Sequence, residues 1–147
     1  ELLDHALREA MRWQGPVRLF LRSVSKDRPA TLGGHVLPPN TTIFITNWLL
    51  HRDPSHWSEP DEFRPARWAN GGVARDPLGS DYYWPFGRGP RACVGGEFAM
   101  FYMKLALAVL LSRTAVTLEP NQPYETGFFF AVEYPSGLKA RLERRQA

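Results

Sequence analysis

The chain has 147 residues, 44% apolar and 13% aromatic, with 18 Lys and Arg against 15 Asp and Glu for a formal net charge of +3. That is enough apolar material for one packed unit and too much for a disordered tail, while the weakly basic, scattered charge argues against a nucleic-acid binder. A single cysteine excludes an internal disulfide and fits a reducing, cytoplasmic setting; the longest apolar run, 98–111, is interrupted by Lys104 and too short to span a membrane.

In chain order, residues 1–14 place Leu2, Leu3, Ala6, Leu7, Ala10 and Met11 at helical spacing, with Gly15-Pro16 as the stop. No secretory signal precedes this helix, and the first residue already lies within it, as at a cut end. Val17 to Val24 alternates as a strand, with Val17, Leu19 and Leu21 on one face and Arg18, Phe20 and Arg22 on the other. Segments 30–37 and 41–47 read as short strands flanking a turn at Pro38-Pro39-Asn40. From His51 to Ser80 no period persists, and an irregular packed segment anchored by Trp57, Phe63 and Trp68 is expected. Residues 98–113 predict the longest helix, and Phe98, Phe101, Leu105, Ala108, Val109 and Leu111 nearly encircle it, so deep burial is expected. Short strands are expected at 114–118, 128–133 and 138–142.

The chemistry concentrates at Phe86-Gly87-Arg88-Gly89-Pro90-Arg91-Ala92-Cys93-Val94-Gly95, where the only cysteine sits in a glycine-bracketed loop beside arginines. A lone cysteine is by default a small buried hydrophobe. Its neighbours point elsewhere. Gly89 and Gly95 permit positive φ and close backbone approach to a flat ligand. A helix beginning just beyond would aim free amides at the sulfur and favour the thiolate, and Arg91 is placed for a bidentate pair with a carboxylate. His35, His51 and His56 lack metal-ligand spacing to one another. A cysteine nucleophile working with one of the four histidines is the remaining alternative of another class, with no base or orienting group fixed by the sequence.

The pattern Phe-x-x-Gly-x-Arg-x-Cys-x-Gly, filled by Phe86, Gly89, Arg91, Cys93 and Gly95, resembles the haem-binding loop of the cytochrome P450 family. Glu9-Ala10-Met11-Arg12 is similar to the family's Glu-x-x-Arg helix motif, and Phe63-Arg64-Pro65-Ala66-Arg67-Trp68 to the segment that adds a second arginine. Taken alone, Glu9 and Arg12 are an ordinary exposed pair on the polar side of the helix. The resemblance implies instead a buried network of Glu9, Arg12 and Arg67. His51-Arg52-Asp53-Pro54 looks like the family's approach to that segment. Tyr102 stands where relatives commonly carry an acid after Ala99, and the family's long central helix with its acid and threonine matches nothing here.

The implied fold is mainly α with small β-sheets (α+β), residues 1–147 being the C-terminal part of a single cytochrome P450 domain. The implied cofactor is haem b, iron protoporphyrin IX, with Cys93 as axial ligand and Arg22, Phe86, Gly87, Gly89, Arg91, Gly95 and Ala99 as further cofactor-binding residues. The implied activity is haem-thiolate monooxygenation of an apolar small molecule with dioxygen and an electron donor, whether a ferredoxin, a flavodoxin or an NADPH-dependent reductase. Residues 17–20 and Gly127-Phe128-Phe129-Phe130 would border the substrate, and Arg88, Lys104 and Arg113 would face the donor. The alternative within the family is a truncated haem-binding or inactive fragment.

Overall fold

Helix α1, Leu2–Gln14, turns Leu7 and Met11 inward as its apolar spacing predicts, and buries Glu9 and Arg12 with them. It ends where Pro16 has no amide to continue the ladder and forces Gly15 into extended backbone, φ −60° and ψ 143°. A computed structural model describes residues 1–71, 81–123, 125–129 and 132–145. Among these, strands pair only two at a time, all antiparallel.

Strand β1, Leu19–Ser23, pairs with β4, Thr42–Thr46, with Leu19 opposite Thr46 and Ser23 opposite Thr42. Between them, β2 (Ala30–Leu32) and β3 (His35–Leu37) form a hairpin. This corrects the expectation of one strand across 30–37. Gly33 and Gly34, at φ 56° and 81°, fold the segment back through the left-handed turn such a hairpin needs. The turn at Pro38-Pro39-Asn40 does link two strands, with the Thr41 amide donating to Pro38 O, but β4 finds its partner in β1.

A single helical turn, α2 (Asn47–Leu50), leads into the irregular segment, which closes with a 3₁₀ helix over Pro65–Gly71. Trp57 and Trp68 are buried there and pack with Tyr83 as the hydrophobic core. Phe63, the third expected anchor, is 49% exposed and packs edge-on with Trp13. Residues 72–80 of the predicted segment lie outside the described residues.

Helix α3, Gly96–Arg113, is the longest, as predicted, but it is not buried. Phe98 is 71% exposed, and Phe101, Leu105, Val109 and Leu111 are exposed too. The physical reason is that, among the described residues, α1 and β5 are the elements chiefly packed on it, and together they cover only a narrow strip of an all-round apolar helix. Strand β5 (Thr114–Leu118) pairs with β8 (Ala140–Arg144), and β6 (Glu125–Phe129) with β7 (Val132–Ser136). The strand expected at 128–133 is therefore divided between two partners.

Candidate functional site

A buried polar cluster lies beside the aromatic core. Glu9 and Arg12, 0% and 1% exposed, sit at i,i+3 on α1, where helix periodicity alone places them on the outside. Their burial is tolerable because every charged group is satisfied. Arg12 grips the carboxylate with Nε and Nη2 at 3.0 and 2.9 Å, and Arg67 Nε reaches the same carboxylate at 2.9 Å. The Arg64 amide and Trp68 Nε1 donate to it at 2.8 and 2.9 Å. Remaining guanidinium N–H groups of Arg12 donate to His51 O, Pro60 O and Glu62 O, and those of Arg67 to Ser58 O, Glu59 O and Glu62 O. Burial works to raise the Glu9 pKa, but the hydrogen bonds from Arg12, Arg64, Trp68 and Arg67 outweigh it and hold the carboxyl below its ordinary value.

This network reaches the cysteine loop through His51, which is 1% exposed. Its carbonyl accepts from Arg12 at 2.8 Å and its imidazole Nε2 accepts the backbone N–H of Trp84 at 2.8 Å. Burial, with repulsion from Arg12, pushes the imidazole pKa down to about 4, so the ring is neutral near pH 7 and available as an acceptor. From Trp84 the loop folds on its own backbone. Gly87 N–H donates to Trp84 O at 3.2 Å, Ala92 N–H to Gly89 O at 2.9 Å, and Cys93 N–H to Phe86 O at 2.8 Å. Gly87 and Gly89 both sit at φ 72°, a region that costs other residues about 1–2 kcal/mol.

Cys93 is exposed and lines a cleft of about 550 Å³ with Phe86, Pro85, Val94, Met100 and Phe101. Two sequence expectations change here. Gly95 has φ −89°, so it is not needed for positive φ; a Cβ there would lie 3.9 Å from the Cys93 sulfur, and the glycine leaves that side of the thiol clear. Helix α3 begins at Gly96, whose amide donates to the Cys93 carbonyl at 3.2 Å and not to the sulfur. Gly96 itself packs on the Phe86 ring, where a Cβ would come within 3.1 Å.

The eight sequence-derived residues do not share one cavity. Cys93 and Phe86 line the first cleft; Arg22, Gly87 and Gly89 line a second, of about 370 Å³, with Phe20, Ile45 and Trp84. Arg91 is exposed on a 3₁₀ turn, Gly89–Arg91, without a hydrogen bond or ion pair to any described residue. Ala99 lies in the first turn of α3, its amide donating to Gly95 O. Gly127 packs under the Tyr134 ring, and Phe130 lies outside the described residues. Of the three expected donor-facing cations, Arg88 pairs with Asp81 and Lys104 with Asp4. Sequence reasoning placed Trp68 as a buried anchor but missed its Nε1 donation to Glu9, the Nε2 acceptor of His51 and the burial of Tyr83. The signal was present in His51-Arg52-Asp53-Pro54 and in the Trp that follows Arg67, but read as motif and packing.

The family model for cytochrome P450 matches residues 1–133. The chain belongs to the cytochrome P450 family. Cytochrome P450 3A6 of Oryctolagus cuniculus is 37% identical over 129 residues, covering 86% of this chain and 25% of the relative. Lithocholate 6-beta-hydroxylase of Mesocricetus auratus is 38% identical over 124 residues, covering 83% and 24%. Among solved structures, the heme domain of cytochrome P450DA superposes with a TM-score of 0.83 at 25% identity, over 99% of this chain and 32% of that one. A retinoic acid bound cyanobacterial CYP120A1 gives 0.80 at 28%, over 98% and 32%. The chain thus spans about a quarter of the length of the curated relatives it matches and has the C-terminal part of the cytochrome P450 fold. Membership implies a haem with a cysteine thiolate on its iron. No helix among the described residues is long and apolar enough to cross a membrane.

Proposed function

We propose that residues 1–147 form part of a single domain that binds haem b, with Cys93 as the axial thiolate, in a haem-thiolate monooxygenase acting on an apolar small molecule. The observation that carries this reading is the sole thiol of the chain, exposed on a glycine-shaped loop whose backbone is pinned by Cys93 N–H to Phe86 O and beside an apolar cleft. The residues fit such a group. The donor set is one soft sulfur with glycine-cleared space next to it, flanked two positions away by the exposed Arg91 guanidinium. In this reading Phe86 screens the sulfur from water, Gly87, Gly89, Gly95 and Ala99 let the macrocycle approach, and Arg91 and Arg22 take its carboxylates.

When bound, the haem would supply activation of dioxygen with two electrons and two protons, one oxygen atom entering the substrate and the other leaving as water, chemistry that a thiolate ligand favours. The chain's own part is to hold the sulfur, orient the carboxylates and exclude water on the ligand side. The name of the hamster relative supports hydroxylation as the reaction class. Electrons come from a ferredoxin, a flavodoxin or a reductase domain, and the setting is cytoplasmic. The test is the carbon monoxide difference spectrum of the reduced, haem-loaded protein. A thiolate-type Soret band that disappears in C93A is expected; no such band, or one that survives C93A, overturns the reading.

A further inference from the structure

We propose that His51 is a positioning residue for the cysteine loop, joining the buried Glu9–Arg12 pair to the backbone that presents Cys93. The proposal rests on the reading of Cys93 as the haem ligand, and its structural basis is a series of hydrogen bonds joined through the loop backbone. Arg12, held by the Glu9 carboxylate, donates to His51 O; His51 Nε2 accepts the Trp84 amide; Trp84 O accepts the Gly87 amide; and Phe86 O, two residues on, accepts the Cys93 amide. Each link lies between groups far apart in sequence or at the loop itself. The imidazole crosses 33 residues to reach Trp84.

The Trp84 amide is where a side-chain acceptor matters. Pro85 follows and donates no amide, so the Trp84 N–H is the last one before the loop that can be tied to a neighbouring segment until Phe86. A histidine suits this task because its ring can pack against an aromatic neighbour while one nitrogen accepts a hydrogen bond. It packs against Tyr83 in a tilted contact, 5.2 Å between ring centroids, and its own backbone is fixed by Asn47 O, which accepts the His51 amide at 2.8 Å. The groups facing the ring keep it in the acceptor form. Arg12 from α1 and Arg52 from its own segment repel a proton on it, and Tyr83 and Trp84 bring no carboxylate. A ring present only to fill space would need neither the acceptor geometry nor the cationic surroundings.

The experiment compares two variants in the haem-loaded protein. H51F keeps a ring against Tyr83 but offers no acceptor, and H51Q restores one. Exchange of the Trp84 amide, followed by NMR, is expected to be about tenfold faster in H51F, as for loss of one buried hydrogen bond. The share of the reduced carbon monoxide complex with the thiolate-type Soret band is expected to fall in H51F, and both readouts to recover in H51Q. Exchange within the β5–β8 pair stays unchanged. Unaltered Trp84 exchange and Soret band in H51F overturn the proposal, as does a loss of protection that extends to β5–β8 or a failure of H51Q to recover. Absence of the thiolate band in the unsubstituted protein sinks the haem reading alone, since Trp84 exchange still reports the hydrogen bond.

Discussion

Replacing Glu9 by alanine removes one carboxylate and the acceptor of five hydrogen bonds. Arg12 and Arg67 keep their backbone carbonyl partners, but both charges stay buried without the anion that offsets them, and Trp68 Nε1 and the Arg64 amide lose their acceptor. Removing one partner of a buried pair costs about 3–5 kcal/mol. Had the pair been the exposed i,i+3 contact that helix periodicity suggests, the cost would be about 0.2–0.5 kcal/mol. The two accounts differ by nearly tenfold, which urea unfolding resolves, with Trp57 and Trp68 fluorescence and far-UV circular dichroism as paired probes. Glu9→Gln keeps one acceptor oxygen and should recover part of the loss. A Glu9→Gln and Arg67→Lys double-mutant cycle should return a coupling above about 0.5 kcal/mol. A loss below about 1 kcal/mol for Glu9→Ala, at unchanged denaturant slope, would refute the argument that the network holds the core.

His51 gives a pH signature. Its folded pKa of about 4 lies below the 6.5 of the free side chain, so the unfolded chain takes up the proton first, and the stabilisation present above pH 6.5 is lost as pH falls towards 4. At about 1.4 kcal/mol per pH unit the difference is about 3 kcal/mol. His51→Gln should flatten stability against pH between 6.5 and 4.5, and an unchanged slope counts against the buried neutral ring; the lowered Glu9 carboxyl adds its own loss only below its ordinary 4.5. Two loop glycines should separate by mechanism. Gly87→Ala should lower stability by about 1–2 kcal/mol through its φ of 72°, with no clash from a Cβ 3.8 Å from Phe20. Gly95→Ala should leave unfolding within about 0.5 kcal/mol but slow the reaction of Cys93 with a bulky maleimide, and equal effects at the two positions would show that the distinction fails. Arg91→Ala should speed haem loss to apomyoglobin without changing urea unfolding of the apoprotein; an unaltered loss rate removes Arg91 from the carboxylate contact.

What could be read from sequence follows from the range of the forces involved. Helix α1, the stop at Gly15-Pro16 and β5 are local matters of periodicity and missing amides, and they lie where expected. The pairing of β4 with β1 depends on what lies between them. It turns on two glycines that close a hairpin inside 30–37, a signal present in the chain but passed over in favour of the prolines. The burial of Glu9 and Arg12 runs against the helix's own pattern, because their partners arrive from 39 to 59 residues away; only the resemblance of motifs indicated it. The exposure of α3 failed in the other direction. An all-round apolar helix says that it should be covered, not by which elements, and α1 and β5 cannot surround it. Within the site, Cys93 and the glycines were legible as a cluster, whereas the Nε2 acceptor of His51 is a tertiary fact that no spacing encodes.

The exposed sulfur also makes the loop vulnerable. An exposed thiol with no second cysteine among these 147 residues has no resolving partner within them, so its oxidation leads to a sulfenic acid or to a disulfide between two copies. Under the proposed function, iron ligation would withdraw the same sulfur from both fates. Loading and cross-linking therefore compete for one atom. The band at twice the chain mass on a non-reducing gel becomes a direct count of sites that air reached before the haem did.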